Sequence, residues 1–148
     1  MENNPLIVGL RESGITVTAQ RIAICRWLYD KHTHPTAAEV HGALQDLFPT
    51  MSLATVYNTL NLLEQHNLIY FVDLNLDGIK RYDVHSRRHI NFVCKFCGKI
   101  IDVYDETLMN TVKKAMELHS LNLQEIVAHG ICLDCAASDL PKNTVSST

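Results

Sequence analysis

The sequence lacks a long apolar run and a leader-like start, and each absence excludes a class of protein. No hydrophobic stretch in the 148 residues approaches the roughly 18 needed to cross a membrane. The opening residues, MENNPLIVGLRESG, carry an acidic side chain where a secretory signal would be basic. We therefore expect no membrane partner and a cytoplasmic location.

The sequence also lacks the basic excess that nucleic-acid-binding proteins usually carry. Its 13 Lys and Arg residues are outnumbered by 16 Asp and Glu residues, so the formal net charge is −3. Charge alone therefore argues against a nucleic-acid partner. Hydrophobic residues make up 47% of the chain and charged residues 20%, which is typical of a globular protein with one domain or two small ones.

Four of the five cysteines form two C-x-x-C pairs, Cys94 with Cys97 and Cys132 with Cys135. Two residues between thiolates allow both sulfurs to bind one ion, and two such pairs complete the tetrahedral shell of a structural Zn²⁺. Disulfides are disfavoured in a cytoplasmic chain, and a redox site needs one pair rather than two. We therefore predict a structural zinc site, whose full shell leaves no position for a catalytic water.

Helix-start signals divide the N-terminal half into short helices. Residues 6–14 form an amphipathic segment, and Thr18 can cap the next helix. A T-x-x-E capping box at Thr36 and Glu39 opens a third helix, which is predicted to run through Leu47. Cys25 lies in an apolar helical stretch and is predicted to be a buried core residue.

The fourth helix is the candidate for contact with DNA. Ser52 can cap a helix over 53–66, and two apolar strands joined by a turn at 75–78 follow it. Helices followed by a β-hairpin are the layout of a winged helix-turn-helix. The predicted buried stripe of this helix is Leu53, Val56, Leu60 and Leu63. Its exposed side, which either reads base edges or is simply solvated, carries Ser52, Ala54, Thr55, Tyr57, Asn58 and Asn61.

The segment between the two cysteine pairs is long enough to hold a further helix. Asp105 can cap one over DETLMNTVKKAMELH, with Leu108, Val112 and Ala115 or Met116 on one face. The last residues, 138–148, are small and polar and are predicted to be disordered.

Five segments of the chain resemble the ferric uptake regulator family and occur in the family's order. They are ITVTAQR (15–21), HPTAAEV (34–40), PTMSLATVYNTL (49–60), RYDVHSRRHINFVCKFCGKIID (81–102) and GICLDC (130–135). The resemblance implies an α+β fold, with a winged-helix DNA-binding domain over 1–82 and a small α/β dimerisation domain, carrying the four-cysteine zinc site, over 83–137. It implies a homodimeric, metal-dependent repressor of double-stranded operator DNA that is not an enzyme. We add Arg21, within the first segment, to the DNA-binding candidates.

The resemblance also implies a regulatory metal site that is separate from the zinc. The family pattern places its ligands at His34, Asp83, His89, Asn91 and Asp102. Such a mixture of imidazole and oxygen ligands favours Fe²⁺ or Mn²⁺. Asn91 stands where many relatives have a histidine, and an amide oxygen is a poorer ligand than imidazole.

Two positions favour the peroxide-responsive branch of the family. Iron-uptake repressors more often have Arg at the position of Asn58 and Glu at that of Asp83. In the peroxide-responsive branch, the resemblance implies that His34 and His89 gain oxygen when bound Fe²⁺ reduces peroxide. Two alternatives remain open: an iron- or zinc-uptake repressor that responds to metal supply, and a non-haem iron or zinc enzyme built on the same ligands.

Overall fold

The computed structural model describes residues 3–30, 34–72, 78–84, 88–123 and 125–138. Most of the predicted turn at 75–78 and most of the predicted tail lie outside these residues. The chain divides into two compact units, Met1–Ser86 and Arg87–Thr148. Within the described ranges, no helix is both long and apolar enough to span a membrane.

The helices of the first unit are α1 (Pro5–Glu12), α2 (Ala19–Asp30), α3 (Ala37–Leu44) and α4 (Leu53–Gln65). The predicted caps are confirmed. Thr18 and Ser52 each accept a hydrogen bond from the backbone N–H three residues later. Thr36 and Glu39 form both bonds of the capping box. These bonds satisfy N–H groups that a helix start leaves without partners, so α2, α3 and α4 begin where the sequence indicates.

These helices pack around one apolar core. Val40 of α3 and Val56, Leu60 and Leu63 of α4 are fully buried. Cys25 of α2 is also fully buried, as predicted. Burying one such side chain contributes roughly 1.5–3 kcal/mol. The packing of α4 against α2 and α3 therefore determines which of its faces points outward.

The prediction that Leu53 is buried is wrong, and the prediction that the third helix runs through Leu47 is wrong too. Leu53 is 39% exposed because it lies in the first turn of α4, at the edge of the core. Thr59 takes an inward position of that helix, and its hydroxyl donates to the carbonyl of Thr55. Leu47 is 67% exposed because α3 ends at Leu44, before reaching it.

A short antiparallel sheet completes the first unit, with strands β1 (Tyr70–Val72) and β2 (Arg81–Asp83). Both strands are shorter than the apolar runs that predict them, LIYFVD and IKRYDV. A bridge between Thr36 and Arg81 joins β2 to the segment that precedes α3. The Tyr82 N–H donates to the carbonyl of Pro35 at 3.0 Å. The residues before α3 therefore act as a third strand at the edge of β2.

The second unit is built on a three-stranded sheet in the order β4-β3-β5. Its strands are β3 (Ile90–Cys94), β4 (Ile100–Val103) and β5 (Ile126–Gly130). β3 pairs antiparallel with β4 and parallel with β5. The mixed directions follow from the helix α5 (Glu106–Leu118), which connects β4 to β5, and a short helix α6 (Leu133–Ala137) follows β5.

The predicted helix between the cysteine pairs is α5. Asp105 caps it by accepting the N–H of Leu108 at 2.9 Å. Its inward side chain is Met109, which is buried, whereas Leu108 is 44% exposed. The cap therefore predicts where the helix begins, whereas its most buried position is one residue after Leu108.

Candidate metal centres and DNA-facing helix

The cysteines of the two C-x-x-C pairs converge in the second unit. Their four sulfur atoms all lie within 4.8 Å of one another, and all four cysteines are free. Cys97 Sγ and Cys132 Sγ are 3.8 Å apart, whereas a disulfide would hold them at about 2.0 Å. Two sulfurs bound about 2.3 Å from one tetrahedral ion lie about 3.8 Å apart. The cluster therefore fits Zn²⁺, and the predicted four-cysteine zinc site is confirmed.

The parallel pairing of β3 and β5 brings the two cysteine pairs together. Cys94 ends β3 opposite Gly130, which ends β5, so the turns that follow the two strands start at the same edge of the sheet. Gly98 has a φ of +71° in the first turn, a conformation that glycine adopts without strain. A Cβ on Gly130 would lie only 2.9 Å from the ring of Phe92. Because Gly130 has no side chain, β5 can approach the ring of Phe92 on β3.

Hydrogen bonds favour the thiolate form of one cysteine in the cluster. The Cys132 N–H donates to Cys94 Sγ at 3.4 Å. This bond, followed by one from the Cys97 N–H, lowers the pKa of Cys94 to about 6. The hydrogen bond between the Cys135 thiol and the Cys132 sulfur, together with burial, raises the pKa of Cys135 to about 12. Four adjacent thiolates repel one another, so the full set of anionic ligands requires the charge of a bound cation.

A first group of candidate regulatory ligands lies in the first unit. Thr36 pairs with Arg81, and continuing this antiparallel register by two residues places His34 opposite Asp83. His34 Nε2 and Asp83 Oδ2 are 3.6 Å apart, and both side chains are buried. Arg81 Nη1 donates to the carbonyl of His34 at 3.2 Å. The strand-like segment before α3 is therefore what sets the position of His34.

A second group, His89, Asn91 and Asp102, lies in the second unit. Asn91 pairs with Asp102 across β3 and β4, and His89 Nε2 is 3.8 Å from Asp102 Oδ1. Asn91 is 3% exposed, and among the described residues its Oδ1 has no hydrogen-bond partner. Such an oxygen is costly to bury, and a bound cation would supply the missing interaction.

Both groups have the spacing of metal co-ligands. The nitrogen–oxygen separations of 3.6 and 3.8 Å are longer than the about 2.7–3.2 Å of an N–H···O hydrogen bond. Two donor atoms that are each about 2.1 Å from one ion lie about 3.0 Å apart at an angle of about 90° and about 3.8 Å apart at about 130°. Imidazole with carboxylate or amide oxygen is the donor set that Fe²⁺ and Mn²⁺ accept. Each group therefore fits part of such a site.

The predicted DNA-facing side of α4 is accessible in the first unit. Ala54, Tyr57, Asn58 and Asn61 are exposed, and Thr55 is half-buried. Ser52, also exposed, has its hydroxyl 3.0 Å from that of Thr55. The two hydroxyls therefore stabilise the start of α4, while the other four side chains face outward.

The turn that leads into α4 is held by a side chain of α3. His41 Nε2 lies 2.8 Å from the carbonyl of Met51. Near the start of α2, the guanidinium of Arg21 donates to the carbonyl of Thr16. These contacts restrict the two helix starts that carry the DNA-binding candidates.

Two residues that contact the candidate ligands were missed in the sequence. Arg81 donates to the His34 carbonyl, and the ring centroid of Tyr104 is 5.2 Å from that of His89. The alternation of side chains along a strand could have indicated both. Arg81 precedes Asp83 by two residues, and Tyr104 follows Asp102 by two. Each is therefore on the same side of its strand as a candidate ligand.

Relatives among known proteins cover most of the chain. Residues 12–129 match the model of the Ferric uptake regulator family. The peroxide-responsive repressor PerR of Staphylococcus aureus strain Mu50 is 34% identical over 131 residues, which cover 87% of this chain and 88% of that protein.

Solved structures show the same similarity. A structure of PerR from Streptococcus pyogenes, described as the basis for peroxide sensing and gene regulation, is 37% identical, with a TM-score of 0.52 and coverage of 88% of this chain and 90% of that one. The ferric uptake regulator Fur of Helicobacter pylori is 24% identical, with a TM-score of 0.74 and 91% coverage of both chains, a likeness of fold. With its family match extending over most of its length, the chain belongs to the ferric uptake regulator family.

Proposed function

We propose that this chain is a metal-dependent, DNA-binding transcriptional repressor that senses hydrogen peroxide through oxidation of ligand histidines. The observation that carries the proposal is the presence, in each unit, of a buried histidine beside a carboxylate at the spacing of metal co-ligands. Similarity to peroxide-responsive repressors at 34% and 37% identity supports it.

In this proposal, one regulatory Fe²⁺ or Mn²⁺ ion binds His34, Asp83, His89, Asn91 and Asp102. Two imidazoles and three oxygens suit these ions better than Zn²⁺, which is usually four-coordinate in proteins. Because the ligands come from both units, the ion stabilises the arrangements of the units that bring all of them together. A ligand that binds one arrangement more tightly than another shifts the equilibrium towards it, as allosteric control requires.

The repressor would bind operator DNA through the first unit. We assign DNA binding to residues 1–82, with Asn58 and the other exposed side chains of α4 facing base edges. Ser52, Thr55 and Arg21 would contact phosphates near helix starts, which needs no positive net charge.

The repressor would act as a homodimer through residues 83–137. The second unit exposes large apolar side chains, among them Ile101, Val103 and Leu133, as an interaction surface does. In a dimer, the separation of the two α4 helices must match the spacing of the operator half-sites. The regulatory ion would therefore act on DNA affinity through that separation.

Bound Fe²⁺ would supply the reactivity that cleaves the O–O bond of peroxide. An imidazole carbon of His34 or His89 then exchanges its C–H bond for a C–O bond, and the second peroxide oxygen leaves as water. The ring loses two electrons and peroxide gains two. An oxidised ring is a poorer ligand, so the ion and then the DNA are released. Mn²⁺ is not readily oxidised by peroxide and leaves both histidines intact.

Mass spectrometry tests this proposal directly. Protein loaded anaerobically with Fe²⁺ is treated with one equivalent of peroxide and digested. We expect the peptides that contain His34 or His89 to gain the mass of one oxygen atom, and Mn²⁺-loaded protein to show no gain. The peptide that contains His66, an exposed histidine at the end of α4, is the control.

Two results would contradict the proposal at different levels. If neither His34 nor His89 gains oxygen, while DNA binding still follows metal supply, the chain is a metal-uptake repressor of the same family. If the Mn²⁺-loaded protein retards no promoter fragment, including that of its own gene, the repressor assignment itself fails.

A further inference from the structure

Tyr104 contacts a candidate ligand histidine in the second unit. Its ring centroid is 5.2 Å from that of His89, and the ring planes meet at 43°. This centroid separation lies within the about 4.5–7 Å that is typical of interacting aromatic rings. The strand register explains the contact. Asn91 pairs with Asp102, so continuing by two residues in each direction places His89 opposite Tyr104. Tyr104 therefore shares a side of the sheet with the candidate ligands of its unit.

The phenol of Tyr104 is accessible as well as close. Tyr104 is 42% exposed, whereas His89 is buried. Ile101 and Val103 are exposed on the other side of β4, because alternate residues of a strand point to opposite faces. A dimer formed through those two side chains would leave Tyr104 uncovered.

We propose that Tyr104 is a further oxidation site beside the two histidines, whose ring is hydroxylated when peroxide is reduced at a metal bound by His89. This inference rests on the proposed function. A phenol ring is electron-rich, and its carbons next to the hydroxyl-bearing carbon are readily oxidised. One of these C–H bonds becomes C–OH, the O–O bond of peroxide breaks, and the other oxygen leaves as water. The ring loses two electrons and peroxide gains two, so the product is a catechol.

The proposed reaction divides the oxidant between a ligand and its neighbour. Each peroxide molecule consumed at Tyr104 leaves His89 intact and able to bind metal. Tyr104 therefore raises the amount of peroxide needed to inactivate a given fraction of the protein. The position of this tyrosine would set the sensitivity of the switch.

The experiment compares tyrosines of equal exposure in the full-length protein. Tyr29 and Tyr57 are 46% and 41% exposed and therefore match Tyr104 against an oxidant that diffuses freely. The zinc-containing protein is loaded anaerobically with Fe²⁺, treated with peroxide, quenched with chelator and digested. Boronate enrichment of catechol peptides and tandem mass spectrometry then locate the added oxygen. We expect it at Tyr104 and not at Tyr29 or Tyr57, and Mn²⁺-loaded protein should show none at all three.

A variant pair tests the competition. Tyr104→Leu should increase the fraction of His89 that is oxidised per peroxide added, whereas Tyr29→Leu should not change it. Circular dichroism and Mn²⁺ binding confirm that each variant is folded and binds its ion. An unchanged His89 yield in Tyr104→Leu would overturn the competition.

The outcomes separate this inference from the proposed function. Oxygen at His34 or His89 with Tyr104 no more oxidised than Tyr29 and Tyr57 overturns the inference and leaves the proposed function standing. No oxygen at either histidine or at Tyr104 overturns both. Oxygen at Tyr104 alone supports the inference but contradicts the histidines as the sensing residues.

Discussion

The four-cysteine cluster and the two histidine–carboxylate groups differ in where their donor atoms come from. All four cysteines lie in the second unit, next to strands that pair directly with each other. The other donors are divided between units. His34 and Asp83 belong to the first, whereas His89, Asn91 and Asp102 belong to the second.

This difference indicates how the proposed regulatory ion would differ in its task from the zinc. An ion whose ligands all belong to one folded unit stabilises that unit and carries no information about another. An ion that takes ligands from two units couples them, and its loss uncouples them. Donor chemistry acts in the same direction, because thiolates bind zinc tightly whereas carboxylates and an amide bind Fe²⁺ or Mn²⁺ more weakly.

The largest effect is expected from breaking the cluster. Cys94→Ser removes a thiolate from a structural zinc site, whose binding contributes on the order of 10 kcal/mol to folding. We expect loss of zinc and unfolding of the second unit, measured by metal analysis and circular dichroism. Cys25→Ala is the matched control, because Cys25 is a buried cysteine outside the cluster, and it should retain its zinc. A folded, zinc-loaded Cys94→Ser protein would refute the structural role of the site.

Removing one proposed ligand of the regulatory ion should abolish the metal response but keep the fold. His34→Ala removes a proposed ligand, so we expect Mn²⁺ affinity to fall on the order of 100-fold and Mn²⁺-dependent DNA binding to disappear. Zinc content and thermal unfolding should change little. His66→Ala, at an exposed histidine of the same unit, is the control in calorimetry and gel shifts. Wild-type Mn²⁺ affinity in His34→Ala would remove it from the ligand set.

A smaller effect is expected from the residue that holds His34 in place. Arg81 Nη1 donates to the His34 carbonyl and lies 4.0 Å from Oε2 of Glu39, which is in the capping box of α3. Arg81→Ala should weaken Mn²⁺ binding about 10-fold, as loss of a group that orients a ligand typically does. Lys80→Ala is the comparison, because Lys80 pairs instead with Glu64, and it should leave Mn²⁺ affinity unchanged. Equal titration curves for the two variants would contradict the positioning role.

The smallest effect is expected at Tyr82, which lies on the opposite face of β2 from Arg81 and Asp83. It tests whether a change on one face leaves metal binding on the other unaffected. Tyr82 is fully buried, and burial raises its pKa to about 12. A pKa that folding raises contributes stability that is complete below the unfolded value, near 10, and is lost as the pH rises towards 12. Tyr82→Phe should therefore lose about 1 kcal/mol less stability than the wild type between pH 9 and pH 11.

Urea unfolding at both pH values measures that difference. At pH 8 the variant should be at least as stable as the wild type, because the Tyr82 hydroxyl has no hydrogen-bond partner among the described residues. Its Mn²⁺ affinity should be unchanged. If the free energy of unfolding fell equally in both proteins between pH 9 and pH 11, the assigned effect of Tyr82 would be wrong. Weaker Mn²⁺ binding in the variant would disprove the independence of the two faces.

The features that could be predicted from the sequence are those set by local chemistry. Helix caps act over three residues, so Thr36 and Ser52 mark helix starts in the sequence as they do in the structure. The two C-x-x-C pairs indicate a closed zinc shell by donor count alone. The cluster that they form is therefore the part of the molecule that spacing predicts best.

The remaining features depend on pairings between distant parts of the chain. The bridge of Thr36 to Arg81 joins residues that only the folded unit brings together, and it is this bridge that places His34 opposite Asp83. The contact of Tyr104 with His89 likewise follows from the register of β3 with β4. The family resemblance, not the spacing of residues, indicates His34 and Asp83 as candidate ligands.

The number of Mn²⁺ ions bound per chain tests the central claim, that one ion takes ligands from both units. Titration of the zinc-containing protein should give one tightly bound Mn²⁺ per chain. His34→Ala and His89→Ala should each weaken the binding of that one ion on the order of 100-fold, and neither should retain a second tightly bound ion. Two Mn²⁺ ions per chain, with each single variant losing only one, would show that the two groups are separate sites and would contradict the account.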